Sequence, residues 1–362
     1  MKIPKIYLEK IFRELQIEAL LITDPSNIKY LTGFSGVSAS QREAFALVTA
    51  NNTYLLTYPV NLQTNLLQKT FFKILMITSG QTLDQLLIKI LSQGKIHTLG
   101  FEKENITVGE YNLWSEKVKV NWVPTREIIE NLRIIKAEEE IKKIAKAAFL
   151  TDKAYTFIKS KIKRGVTEKS LAFELEFYIK KNGGELAFPP IIAFNLHSAL
   201  PHHQPSNLRL KNNSLILIDL GAKVEGYCAD MTRVLLYGAP DSRQTKIYET
   251  ILSAQKLACQ QLKIGLATSE SDQTAREVIK KGGFPEYPHG LGHGVGLDIH
   301  EAPRLRHDSR EILRENMVVT VEPGIYLEGF CGIRIEDLVV LKKSGLDILS
   351  RSPKLIKDSI IL

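Results

Sequence analysis

Asp219, Asp230, Glu322 and Glu336 are carboxylates set at or near the ends of apolar runs. An acid in that position costs free energy unless it is paired or bound. The first run reads Asn213-Ser-Leu-Ile-Leu-Ile-Asp219-Leu-Gly221 and leads to Glu225-Gly-Tyr-Cys228. At an offset of 103, Asn316-Met-Val-Val-Thr-Val-Glu322-Pro-Gly324 leads to Glu328-Gly-Phe-Cys331. The echo reads as a duplicated unit that brings carboxylates to one site. A hairpin closing near residues 222–225 brings Asp219 and Asp230 together. In the second copy Arg334 and Glu336 are two apart in a strand pattern and share a face. Four converging carboxylates repel one another unless cations neutralise them, so metal binding is the chemistry this pattern points to.

A nitrogen ligand lies between the two copies. Pro288-His289-Gly-Leu-Gly-His293-Gly-Val-Gly-Leu-Asp-Ile-His300 interleaves histidines with glycines. The glycines argue against a helix despite the four-residue spacing of His289 and His293; they suit backbone running close to a ligand. Two Asp, two Glu and one His form an oxygen-rich set suited to Mn²⁺, Fe²⁺, Co²⁺ or Zn²⁺. Five such side chains can hold two ions roughly 3.5–4 Å apart, which activates water at neutral pH and polarises a carbonyl.

The elements that position these residues follow the same duplication. Lys163-Arg-Gly165-Val-Thr167 leads into a helix with Thr167 as N-cap, stopped at Gly183-Gly184. Lys263-Ile-Gly265 leads into another that ends at Gly282-Gly283. Each copy is thus helix, turn, helix, Gly-Gly, polar loop and strand pair. Two pseudo-symmetric α+β halves are expected, with one shared, curved, mainly antiparallel sheet and helices on one face. A continuous helical pattern from Ile128 to Lys161 opens this region. Before it, short strands (Ala19–Thr23, Ala44–Thr49 and Thr53–Thr57 as a hairpin, Thr98–Phe101) alternate with helical patterns such as Leu83–Leu91. The expected division is a smaller α/β domain over 1–127 and a larger α+β domain over 128–362. In the first, Tyr30-Leu-Thr-Gly-Phe-Ser-Gly36 reads as a loop with special backbone needs.

Composition narrows the class. The chain is 44% apolar and 24% charged, ordinary for a globular protein. No stretch approaches the ~20 apolar residues that span a bilayer, and no membrane partner is expected. The N-terminus lacks the unbroken apolar core of a signal peptide. Cys228, Cys259 and Cys331 form no framework of close pairs, which points to a reducing cytoplasm; Cys228 and Cys331 read as equivalent packing positions. The net charge of +8 is spread through mixed-sign helix faces such as Lys136–Lys146, with no basic run among aromatics, so nucleic acid is not an expected partner.

These motifs together resemble the "pita-bread" metallopeptidases, in their Xaa-Pro branch of prolidase and aminopeptidase P, over essentially the whole chain. Ile218-Asp219-Leu-Gly-Ala, Tyr227-Cys-Ala-Asp230-Met-Thr-Arg, His289-Gly-Leu-Gly-His293-Gly-Val-Gly, Val321-Glu322-Pro-Gly-Ile-Tyr and Arg334-Ile-Glu336-Asp all match family motifs. Tyr30-Leu-Thr-Gly-Phe matches the creatinase-like N-terminal domain of this branch. The resemblance implies a pita-bread fold, two divalent ions (Mn²⁺ first, then Co²⁺, Zn²⁺ or Fe²⁺), proline-containing peptide substrates and a homodimer. It implies that Asp219 chelates one ion, that Asp230 and Glu336 bridge both, and that His293 and Glu322 complete the second site. Glu322 would also shuttle the proton to the leaving nitrogen. His202 and His300 would contact substrate, His289 and Arg304 would line the substrate site, and Arg334 would orient the bridging glutamate.

Phe194-Asn-Leu-His197 departs from the small Gly-Pro-Asn-like segment common before Ala-Leu-Pro-His202. His197 and His203 are additional and read as solvent-facing. Xaa-Pro chemistry fits a metal pocket because the bond to proline is a tertiary amide with no N–H, which defeats proteases that pair with extended backbone. The expected activity is an Xaa-Pro aminopeptidase, with prolidase (Xaa-Pro dipeptidase) as the alternative. Prolidase needs a cation for the free carboxylate beside the ring, and Arg304, Arg306 and Arg310 are the candidates. A non-catalytic binding protein on the same fold would have lost ligands, as would metal-free creatinase; here all five stand. Methionine aminopeptidases lack the first domain.

Overall fold

In the computed structural model, which describes residues 4–35, 42–61 and 71–361, the chain divides into Met1–Arg133 and Ile134–Leu362. The stretch read as one helix from Ile128 is two, Ile128–Arg133 and Glu138–Lys159. Ile128 and Ile129 are buried beside Leu8, Phe12 and Leu20. The short helix therefore goes with the N-terminal unit, and the division falls after it rather than before it.

In the first unit, six strands lie in the order Lys73–Met76, Thr53–Thr57, Ala44–Thr49, Ala19–Ile22, Thr98–Glu102, Asn121–Thr125. The sheet is mixed: the Ala44–Thr49/Thr53–Thr57 hairpin is antiparallel, and Ala19–Ile22 runs parallel to Thr98–Glu102. Alternate side chains of one strand go to opposite faces. Leu20 and Ile22 join one apolar cluster, Ala19 and Leu21 the other. Asp24-Pro25 starts a helix, Pro25–Thr32, with the Asp24 carboxylate capping Asn27 N and proline at the first position. Tyr30, Leu31 and Thr32 are therefore helical. Gly33 ends the helix at φ 74°, a conformation glycine adopts without strain. Gly36, the end of that motif, lies outside the described residues.

In the second unit, Ser214–Leu220 and Met231–Tyr237 pair antiparallel within a four-stranded sheet, and Val318–Val321 and Asp337–Lys342 do so within a five-stranded one. The shared sheet is realised as these two, joined where Glu336 N donates to Thr232 O at 3.1 Å. Helices Glu138–Lys159 and Glu168–Lys181 cover the face of the first half that carries Ile216, Ile218 and Leu220, while Leu215 and Leu217 join the apolar cluster that also holds Cys331 and Ile333 of the second half. The unbroken Leu-Ile-Leu-Ile run is the signature of a strand buried on both sides. Cys228, Cys259 and Cys331 are free and buried. No helix among the described residues is long and apolar enough to cross a membrane.

Candidate metal centre

Strand register brings the acids together. Asp219 lies opposite Thr232, and the pairing continues in one register into a small hairpin, Ala222–Val224 with Tyr227–Cys228. Asp230, two residues before Thr232, therefore projects to the same side as Asp219. In the second copy Val321 pairs with Asp337 and Gly324 with Arg334, so the same register sets Glu322 against Glu336. The turn of the first hairpin is Glu225-Gly226; that of the second is Glu328-Gly-Phe330, one residue longer. After the turns the echo is thus offset by 104, not 103. Glu336 is the counterpart of Thr232, and Arg334 is the counterpart of Asp230. The strand pattern through Arg334 and Glu336 is broken at Ile335–Glu336, between Cys331–Arg334 and Asp337–Lys342.

His293 comes from the short strand Gly292–Gly294, held between Glu301–Leu305 and Val318–Val321. A Cβ on Gly292 would stand 2.0 Å from Thr320 O, and one on Gly294 2.1 Å from Ala302 O. These glycines are required by neighbouring backbone, not by a ligand as the sequence suggested.

Asp219, Asp230, His293, Glu322 and Glu336 line one cavity of about 730 Å³. Ligand atoms of Asp230, His293 and Glu336 lie within 4.8 Å of one another. His293 Nε2 faces Glu322 Oε1 at 3.3 Å and Asp230 Oδ2 at 3.6 Å. Its Nδ1 lies 3.1 Å from Gly294 O, which assigns the N–H there and leaves the Nε2 lone pair toward the carboxylates. Burial pushes the His293 pKa down, so the ring is held neutral. Burial, then the charges of Glu336, Asp219 and Glu322, holds Asp230 well above the carboxylate range. Burial, then Glu322 and Asp219, does the same to Glu336, and burial raises Glu322. Among the described residues, Asp219 Oδ1 and Asp230 Oδ1 are buried without a hydrogen-bond partner. Facing lone pairs, orphaned carboxylate oxygens and an O/N donor set fit divalent cations, which would offset all of these costs together.

A second layer orients the ligands. Arg334 donates to Asp219 Oδ2 (2.5 Å), Thr232 Oγ1 (3.0 Å) and the Tyr326 hydroxyl (2.8 Å). Thr232 Oγ1 in turn donates to Glu336 Oε2 at 2.6 Å. Arg334 therefore reaches Asp219 directly and Glu336 through Thr232. His289 places Nδ1 2.7 Å from Gly290 O and Nε2 2.9 Å from the Tyr326 hydroxyl. Both its nitrogens are engaged within the wall. His202, His300, Arg304 and Arg306 also line the cavity, whereas Arg310 does not. Burial, then His293, lowers the His300 pKa to about 4. Arg306 pairs with Asp308, and no ion pair of Arg304 is found among the described residues.

Sequence reading missed Thr232, Tyr326 and Glu168. Nothing local marks Thr232 as a bridge; only its register against the second copy would have done so. His197 and His203 have a partner that the sequence did not reveal: Nδ1 of His197 and Nε2 of His203 lie 2.8 and 3.0 Å from the buried carboxylate of Glu168, with the His197 side chain still 33% exposed and that of His203 10%.

Comparison with known proteins gives a family for both units. The model of metallopeptidase family M24 matches residues 142–343, and that of the creatinase/prolidase N-terminal domain matches residues 7–135. An Xaa-Pro dipeptidase of Pyrococcus horikoshii is 35% identical over 93% of this chain and 94% of its own. The structure of an Xaa-Pro dipeptidase from Bacillus anthracis superposes with a TM-score of 0.93 at 33% identity, covering 99% of each chain. That of an X-Pro aminopeptidase from Thermotoga maritima gives 0.88 at 33%, covering 97% of this chain and all of its own.

Proposed function

This chain belongs to metallopeptidase family M24, and from that membership we propose that it is an Xaa-Pro dipeptidase working with two divalent ions. The observation that carries the metal half is the buried ligand set with its orphaned oxygens on Asp219 and Asp230. The substrate half rests on the relatives: the sequence favoured an aminopeptidase, and the dipeptidases of P. horikoshii and B. anthracis move the proposal to the dipeptide-specific alternative. The T. maritima structure supports aminopeptidase as the second reading.

Asp219, Asp230, His293, Glu322 and Glu336 would hold the ions, with Mn²⁺ the first choice and Co²⁺, Zn²⁺ or Fe²⁺ the others. Such a pair, when bound, lowers the pKa of water and polarises the scissile carbonyl. The protein's own groups do the rest. Glu322 takes the proton lost by the attacking water and returns it to the proline nitrogen, which as a tertiary amide has none of its own. His300, neutral at pH 7, offers one N–H donor and one acceptor to the substrate. His202 stands in the wall of the same cavity. Arg304, also in that wall, would take the free carboxylate of a dipeptide. A cytoplasmic homodimer completes the proposal, supported by the family resemblance and the three free cysteines.

The test is kinetic. Mn²⁺-loaded protein is expected to cleave an Xaa-Pro dipeptide with a kcat/KM roughly tenfold or more above that for an Xaa-Pro-Xaa tripeptide, a margin Arg304→Ala removes. The reverse preference would favour the aminopeptidase, and no turnover of either would rule out both.

A further inference from the structure

Glu168 is a buried carboxylate with an unusual number of donors. It opens helix Glu168–Lys181 behind the N-cap Thr167, and its side chain is inaccessible to solvent. Oε1 accepts from Phe194 N at 2.8 Å. Oε2 accepts from Ser206 N at 2.9 Å and from Ser206 Oγ at 2.6 Å. His197 Nδ1 and His203 Nε2 reach the two oxygens at 2.8 and 3.0 Å, their rings 4.4 Å apart. All five donors come from one segment, residues 194–206, and they grip both its ends and its middle. That segment carries His202. Burial alone would raise the Glu168 pKa; bonds from Ser206, His203 and the backbone outweigh it and lower the group from its ordinary value.

The far side of the segment is held as well. Ser198 Oγ accepts from Gly332 N at 2.8 Å, and a Cβ on Gly332 would stand 2.0 Å from Ser198 O. Gly332 lies in strand Cys331–Arg334, whose last residue binds Asp219. The segment is therefore fixed between Glu168 and the strand that orients the metal ligands. The backbone that carries His202 is thereby fixed in place, while the residue itself is exposed.

We propose that Glu168 is a positioning residue: through His197 and His203 it clamps the 194–206 segment and so aims His202 at the substrate. This rests on the role proposed above for His202. The same three side chains have ligand atoms within 4.8 Å of one another, a set a transition metal could take. The Glu168 oxygens, however, are already occupied by two backbone N–H groups and a hydroxyl. With the two imidazole N–H donors the carboxylate has five donors for its roughly four lone-pair sites, and no ion is needed.

The experiment is a double-mutant cycle on Xaa-Pro dipeptide hydrolysis, using the full Mn²⁺-loaded protein and counting bound ions per chain. Single variants are Glu168→Gln, His203→Gln and His202→Ala; doubles combine each of the first two with His202→Ala. Glu168→Gln and His203→Gln are expected to lower kcat/KM about tenfold each, with both ions retained, because a reacting-site group is displaced by a fraction of its length. In the His202→Ala background neither is expected to cost anything further. Additive losses would overturn the clamp, since a merely structural role lowers activity whether or not His202 is present. Unchanged activity in His203→Gln would also overturn it, and that variant carries the test if Glu168→Gln fails to fold. If His202→Ala alone has no effect, the proposed role of His202 fails first and the clamp with it. A third Zn²⁺ per chain on titration, lost in His203→Gln, would replace the clamp with a metal site.

Discussion

A buried carboxylate oxygen that accepts no hydrogen bond is rare in a folded protein, and Asp219 Oδ1 and Asp230 Oδ1 are two of them, on residues that line one cavity. His293 adds a lone pair aimed at Asp230 and Glu322. Such an arrangement is costly by itself and becomes favourable when cations fill it. Glu336, held by Thr232 and 1% exposed, has the least freedom among these acids. Glu336→Ala is expected to lower kcat by about a thousandfold or more and to reduce bound metal below two ions per chain, since a single misplaced metal ligand can remove several kcal/mol of transition-state stabilisation. Activity assay with metal analysis checks it; retained activity would mean that Glu336 is not a bridge. These five side chains were legible in the sequence because an acid closing an apolar run, or a histidine among glycines, is conspicuous by itself. Thr232, Tyr326 and Glu168 were not, because their importance comes from partners 104, 37 and 35 residues away.

At the level of elements, the duplication explains both the convergence and its asymmetry. Two hairpins in matching register present Asp219 against Thr232 and Glu322 against Glu336. The extra residue in the second turn shifts the echo and leaves Arg334 where the first copy has Asp230. One copy supplies an acid and the other the cation that braces Asp219. The halves also meet through Arg233 and Asp337, which are fully buried and paired at 2.7 Å. Arg233 also donates to the backbone carbonyl of Glu336, and Lys354 and Gln255 share Asp337. Removing Arg233 leaves Asp337 with Lys354 and Gln255 and strips the buried Glu336 and Ser352 carbonyls of their donor, so Arg233→Met is expected to cost about 3 kcal/mol of stability. Denaturant unfolding of metal-loaded protein measures it; a loss below about 0.5 kcal/mol, the scale of a surface substitution, would show that the pair does not join the halves. Strands and hairpins could be read from apolar runs and turn residues. The division after Arg133 could not, because two successive helices carry one continuous amphipathic pattern and only Ile128 and Ile129 reveal which core the first one joins.

For the molecule as a whole, the ligand set ties stability to metal and to pH. Asp230, Glu322 and Glu336 have folded-state pKa values above their ordinary 3.8 and 4.5 when no cation is present. Above those ordinary values the unfolded chain has released its protons while the folded chain still holds them, so this contribution destabilises the fold progressively as pH rises. Bound cations reverse it by stabilising the ionised forms. The gap in Tm between metal-loaded and chelator-treated protein is therefore expected to widen from about pH 4.5 to pH 7, as read by thermal unfolding at matched ionic strength. A gap that narrowed over that window would contradict the raised carboxylates. The most direct test of the dinuclear centre is titration of metal-free protein with Mn²⁺ while Xaa-Pro dipeptide hydrolysis and bound metal are followed together. Activity is predicted to rise from near zero and to plateau at two ions per chain; hydrolysis undiminished in the metal-free protein, or no metal bound with His293 and Glu322 intact, would contradict it.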